Sequence, residues 1–95
     1  MSEPAFTVRD NPGKSRFEAI LDGHVARAEY TMAPGTITFT HTVVPKELEG
    51  RGVGSALART ALKSARDRGL KVIPVCEFFA AYISRHPEEQ DLLAG

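Results

Sequence analysis

Three turn signals fall within the first 35 residues of this 95-residue chain: Asn11-Pro12-Gly13-Lys14, Asp22-Gly23 and Pro34-Gly35. Each has its own chemistry. Asp-Gly tolerates the positive φ values of a two-residue hairpin turn. Pro-Gly suits the two centre positions of a type II turn. Asn-Pro-Gly reads as a slightly longer hairpin loop. The signals cut the chain into four strand-like runs, Phe6 to Asp10, Arg16 to Leu21, His24 to Met32 and Thr36 to Val44. Strands joined by turns this short pair with their sequence neighbours, which predicts a four-stranded antiparallel meander. In the last run Ile37, Phe39, His41 and Val43 share one face by strict alternation, and Thr36, Thr38, Thr40 and Thr42 share the other.

The pattern then changes period. After Glu49-Gly50-Arg51-Gly52-Val53-Gly54-Ser55 a helical run extends to Arg68 and stops at Gly69, a C-terminal cap. Val53, Leu57 and Ala61 stand at i, i+4 and i+8 of an alanine-rich apolar stripe, with Arg59, Lys63 and Arg66 on the outer, solvated face. Leu70 to Cys76 reads as a buried strand made irregular by Pro74. A final helix over Phe78 to Arg85 places Phe78, Phe79 and Tyr82 in the core. It ends at His86-Pro87, and the tail adds a further turn. A strand–helix–strand crossover makes its two strands parallel. The expected fold is therefore α+β, a single domain over residues 1–95. It has a mixed five-stranded sheet in order 1-2-3-4-5, with strand 5 parallel to strand 4, and two helices.

Composition bounds the function. Twelve Lys+Arg balance twelve Asp+Glu, so bulk charge does not drive nucleic-acid binding. The single cysteine, Cys76, excludes an internal disulfide framework and any Cys-cluster metal site. The chain starts without a signal-peptide pattern, and no run approaches the ~18 apolar residues of a membrane span. A cytoplasmic protein without metal, nucleic-acid or membrane partner, and a monomer, is the expectation.

The stretch richest in chemistry is Gly50-Arg51-Gly52-Val53-Gly54-Ser55, between a strand and a helix. Glycines let backbone approach a ligand closely. The helix start beyond them offers unpaired N–H groups and the positive end of the dipole. That combination suits a phosphate or pyrophosphate, with Arg51 able to pair with one phosphate. A P-loop is excluded because Ser55 follows Gly54 with no lysine between. GxGxxG fails as well, and four strands precede the loop here, where a dinucleotide fold has one.

Val43-Val44-Pro45 followed by Leu48-Glu49-Gly50-Arg51-Gly52-Val53-Gly54-Ser55-Ala56-Leu57 resembles the acetyl-CoA-binding motif [Q/R]-x-x-G-x-[G/A] of the GNAT N-acetyltransferases, with Glu49 at its first position. From Phe17 to Leu92 the chain resembles the short members of that group, through Glu47 to Leu57, Lys71 to Cys76 and Arg85 to Glu88. The resemblance implies that backbone amides of Arg51, Gly52, Val53, Gly54 and Ser55 hold the CoA pyrophosphate, with Gly50 part of the same cofactor-binding loop. It implies that the backbone at Val43 and Val44 pairs with the pantetheine arm as an added strand. The fourth and fifth strands are expected to splay and admit the thioester. Larger members carry two helices between their first strands and two further strands at the end. This chain lacks both, and with them the parts that build an acceptor pocket.

Two side chains are candidates for the chemistry. His41 is either a core or groove histidine or a general base for an attacking amine. Cys76 is either a small buried apolar residue or a nucleophile that accepts the acetyl group first. Both stand toward the C-terminal ends of neighbouring parallel strands, so one cavity could hold both. The reading is an acetyl-CoA-dependent N-acetyltransferase acting on an amine acceptor such as a protein or peptide amine. The alternatives are a non-catalytic acyl-CoA-binding module and an enzyme whose acceptor site a partner chain completes.

Overall fold

The computed structural model describes residues 7–94; Phe6, expected to open the first strand, lies outside them. Five strands form one sheet in the order β1-β2-β3-β4-β5: β1 Thr7–Asn11, β2 Arg16–Leu21, β3 His24–Ala33, β4 Thr36–Val43 and β5 Lys71–Pro74. Neighbours β1 to β4 pair antiparallel, and β4 pairs with β5 in parallel. The helices are α1 Val53–Asp67 and α2 Glu77–Arg85, joined by 3-10 turns at Pro12–Lys14, Lys46–Leu48 and Pro87–Leu92. The expected mixed sheet and its order are those observed.

The turns follow the local chemistry. Asp22 and Gly23 both take positive φ, 52° and 78°, as a two-residue hairpin turn of this hand requires. At the end of α1, Gly69 is left-handed at φ 68°. Its N–H donates to the Arg66 carbonyl at 3.1 Å, and that of Leu70 to the Ala65 carbonyl at 2.8 Å. This pair of bonds is the Schellman arrangement that satisfies the last carbonyls of a helix.

One core joins Phe17, Ala28, Tyr30, Ile37 and Phe39 of the sheet to Leu57, Ala61 and Leu62 of α1 and to Phe79 and Ile83 of α2. Both helices therefore cover the same face of the sheet. Phe39 lies at the centre, stacked on Phe79 with ring centroids 4.1 Å apart and planes 11° apart. The alanines of α1 let it approach β1, β2 and β3 closely. The other face of the sheet carries Arg9, Arg16, Glu18, Ile20, Arg27 and Glu29, and no helix covers it among the described residues.

The alternation expected of β4 breaks at one residue. Tyr30 pairs with Phe39 and Glu29 with His41, so Thr40 has no cross-strand partner and forms a β-bulge. Beyond the bulge the faces exchange. Thr42 pairs with the fully buried Ala28 and points to the helix side, while His41 turns to the open face with 73% of its side chain exposed. His41 and Val43 therefore do not share a face with Ile37 and Phe39. The extra residue has reversed the parity.

The sequence also placed Cys76 at the end of the fifth strand. β5 ends earlier, at Pro74, and Cys76 is the N-cap of α2. The amides of Val75 and Cys76 both donate to the Phe39 carbonyl at 3.0 Å, which turns the chain out of the sheet.

The tail is tied down. Arg66 of α1 grips Asp91 with two guanidinium nitrogens at 2.9 and 2.8 Å and also reaches the Glu88 carbonyl at 2.9 Å. Beyond that clamp Ala94 donates its N–H to Val72 of β5 at 3.0 Å.

Candidate active site

The loop before α1 is shaped by two left-handed glycines, Gly50 at φ 78° and Gly52 at φ 76°. Gly52 is the N-cap of α1, and no side chain caps this end. The first intrahelical bond runs from Ala56 N–H to the Gly52 carbonyl at 3.0 Å. The amides of Val53, Gly54 and Ser55 precede it. They are the orphan donors of a helix start, at the positive end of the dipole. Gly54 answers a different need. A Cβ there would stand 2.7 Å from Phe78 Cζ, so glycine is what lets the α2 ring pack against the first turn of α1.

These groups open onto a cleft of about 430 Å³, in the size range of small-molecule sites. Its walls are Thr42 from the end of β4 and Val44 just past it, Leu48 to Gly50 and Gly52 from the loop, Val53 to Ser55 from α1, and Phe78 from α2. The cleft exists because β4 and β5 part. Their ladder runs only from Thr36 with Lys71 to Phe39 with Pro74. Beyond it, Thr40 to Val43 have no strand on the β5 side among the described residues. Where the strands separate, Thr42 Oγ1 lies 3.3 Å from Cys76 Sγ.

Of the residues singled out from the sequence, Val44, Gly50, Gly52, Val53, Gly54 and Ser55 line this cleft. Val43, Arg51, His41 and Cys76 are not among its lining residues. Cys76 adjoins it through Thr42. Val43 and His41 stand across the sheet. There His41 Nδ1 is 3.7 Å from Glu29 Oε1, and the Arg27 guanidinium, bonded to Glu29 at 2.7 Å, holds that carboxyl below the usual range. Their positions in the sequence allowed one cavity to hold both His41 and Cys76. The bulge separates them and brings Thr42 to the thiol instead. Arg51 donates to Asp22 Oδ2 of the β2–β3 turn at 3.0 Å, in an exposed ion pair.

Sequence reasoning missed Thr42 because strict alternation assigns it to the other face. It missed Leu48, a fully buried wall residue in the connection after β4, because nothing local marks it as one. Among the described residues no cluster of three or more His, Cys, Asp or Glu is arranged to hold a metal ion, and no helix is long and apolar enough to cross a membrane.

An uncapped helix start and an unpaired strand edge meet at this cleft, and the Cys76 thiol adjoins it through Thr42, a combination that suits an anionic ligand with an extended arm. Known proteins resemble this chain in sequence or in fold. Protein NATD1 of Xenopus tropicalis is 29% identical over 96 residues, covering 95% of this chain and 87% of that protein. The solution structure of a GCN5-like N-acetyltransferase candidate from Staphylococcus aureus superimposes with a TM-score of 0.74 at 27% identity, over 94% of this chain and 88% of that one. The profile of the family described as GCN5-related N-acetyl-transferase matches residues 16–92, which spans all but the first strand of the sheet and the whole of the cleft. By that match the chain belongs to the GCN5-related N-acetyltransferase family.

Proposed function

We propose that this protein transfers the acetyl group of acetyl-CoA to an amine of a protein or peptide. The observation that carries the reading is the uncapped, glycine-looped start of α1, opening onto the cleft where β4 and β5 part. The amides of Val53, Gly54 and Ser55 would hold the pyrophosphate, with the backbone of Gly50 to Gly52 closing around it. Arg51 would exchange Asp22 for a phosphate oxygen. The unpaired backbone edge at Val43, the last residue of β4, and Val44 just past it would bond the pantetheine arm as an added strand. That arm directs the thioester toward Thr42 and Cys76.

In the reaction the amine nitrogen forms a bond to the thioester carbonyl carbon, the carbon–sulfur bond breaks, and CoA leaves with the electron pair. The proton lost by the amine passes to a base or to the departing sulfur. Backbone N–H groups at the parted strands would stabilise charge on the carbonyl oxygen. In the two-step variant Cys76 Sγ attacks first, CoA departs, and the amine then takes the acetyl group from sulfur. His41 serves as base only for an amine that arrives from the open face of the sheet, because the bulge turns it there. The acceptor side has little wall, which favours a large amine such as a protein lysine or amino terminus.

Acetyl-CoA at 100 times its dissociation constant should stabilise the fold by ~2.7 kcal/mol. No change of melting temperature at millimolar acetyl-CoA would overturn the reading. Intact mass after incubation separates the routes: a hydroxylamine-labile acetyl adduct, absent in Cys76→Ala, marks the two-step path. The displacement of His41 from the cleft favours one second reading, a non-catalytic acyl-CoA-binding module. A stabilising shift without turnover on any of a broad panel of amines and peptides would establish that one.

A further inference from the structure

We infer that Asp22 is a built-in competitor for the phosphate site: its carboxylate holds the Arg51 guanidinium off the cleft, and an anionic ligand gains that cation only by displacing it. The inference rests on the acyl-CoA reading above and adds to it a residue outside the loop that sets how firmly phosphate is held. Arg51 Nη1 donates to Asp22 Oδ2 at 3.0 Å, across 29 residues of chain. Asp22 belongs to the turn between β2 and β3. Gly50 and Gly52, on either side of Arg51, line the cleft, and Arg51 itself does not. Its backbone therefore stands beside the cleft while its charge is held on the turn. Among the described residues the one charged side chain in the cleft wall is Glu49, an anion. With Arg51 on Asp22, the walls present the amides of the α1 start and a carboxylate, but no cation.

Neither the turn nor the fold needs this carboxylate. Asp22 has φ 52° and Gly23 φ 78°, a two-residue turn that asparagine suits as well as aspartate. The ion pair leaves 45% of the Arg51 side chain and 64% of that of Asp22 exposed, and pairs so exposed add little to stability. What the carboxylate does decide is where the guanidinium points. One nitrogen meets one oxygen there, short of the two-bond fork that a guanidinium can make with a carboxylate or a phosphate. A phosphate on the α1 amides can therefore draw Arg51 away by rotation of its long side chain, at the cost of the Asp22 contact.

The test measures the calorimetric affinity of CoA for wild type, Asp22→Asn, Arg51→Gln and the double variant. Asparagine keeps the turn, so Asp22→Asn removes the charge alone. It should tighten CoA by about threefold, the scale on which an exposed ion pair moves an equilibrium. Arg51→Gln should weaken CoA. In the Arg51→Gln background the gain from Asp22→Asn should largely vanish, because the carboxylate then has no cation to hold. An affinity unchanged by Asp22→Asn overturns the inference while leaving the acyl-CoA reading standing. So does a gain of equal size with and without Arg51, which marks plain repulsion between Asp22 and the phosphates of the ligand. CoA that binds neither wild type nor Asp22→Asn overturns both.

Discussion

Gly50, Gly52 and Gly54 alternate in sequence, yet the backbone needs them for two separate reasons. A Cβ on Gly52 would meet nothing within 4 Å, but its φ of 76° is one that L residues resist. Gly52→Ala should therefore cost about 1–2 kcal/mol of stability through the backbone alone. For a domain of this length that lowers the melting temperature by roughly 4–8 °C per kcal/mol. Gly54 has ordinary helical φ, and alanine there gains up to ~1 kcal/mol of helix propensity. Its Cβ would nevertheless drive into the Phe78 ring, whose one open direction is the cleft. Gly54→Ala should leave the melting temperature nearly unchanged or raised and weaken acetyl-CoA binding measured by calorimetry. Unchanged affinity would show that the ring moves without obstructing the ligand.

At the scale of elements, the β4–β5 ladder ends where the cleft begins. β4 continues for four residues past its last pairing with β5, and the amides of Val75 and Cys76 spend themselves on a single carbonyl, that of Phe39. The remaining edge of β5 is guarded by the tail, held by the fork of Arg66 on Asp91. That clamp is exposed, and exposed ion pairs contribute about 0–1 kcal/mol to global stability. Arg66→Gln should accordingly leave the melting temperature almost unaltered while loosening the tail. The exchange of the Ala94 amide, now bonded to the Val72 carbonyl, should quicken about fivefold for each ~1 kcal/mol of local opening energy lost. If Ala94 keeps its protection, the tail is held by the burial of Leu92 rather than by the clamp.

The whole molecule should lose stability at both ends of the pH range, for separate reasons. Glu18 is a buried carboxylate on the helix-free face of the sheet. The Arg16 hydrogen bond at 2.7 Å, with help from Asn11 and Arg9, lowers its pKa against the opposing effect of burial. A carboxyl depressed in the folded state leaves the unfolded chain holding more protons below about pH 4.5. Stability present above that value is then lost as pH falls through the folded pKa. Tyr30 acts at the other end. Burial first, and then its 2.6 Å bond to Asp10, push the phenol up to about 12. The unfolded chain ionises this tyrosine from about pH 10, so its contribution drains away between about 10 and 12. Denaturant titrations should show a shallower acid limb in Glu18→Gln and a shallower alkaline limb in Tyr30→Phe. At neutral pH Tyr30→Phe should cost ~1 kcal/mol for the lost hydrogen bond. Limbs identical to wild type would assign the pH dependence to other groups.

What the sequence by itself determined is what is encoded within a few residues. Asp22-Gly23 and Pro34-Gly35 set the hairpins, so the order of the first four strands follows from turn chemistry alone. Gly69 stops α1 through its own left-handed conformation. The glycines at 50 and 52 announce an unusual loop before an uncapped helix, and with it one wall of the cleft. The features that only the tertiary structure decided depend on partners far along the chain. Whether β4 takes one extra residue at Thr40 is settled by its register against β3. That single offset moves His41 to the open face and Thr42 to Cys76. Asp22 and Arg51 are 29 residues apart and meet only when the sheet has formed. Gly54 and Phe78 sit on different helices, and no local pattern states that the absence of a side chain on one makes room for a ring on the other. Periodicity gives the faces of an element while its register is unbroken. A bulge exchanges those faces without leaving a mark in the residues that form it, because its cause is the pairing of two strands rather than the preference of either.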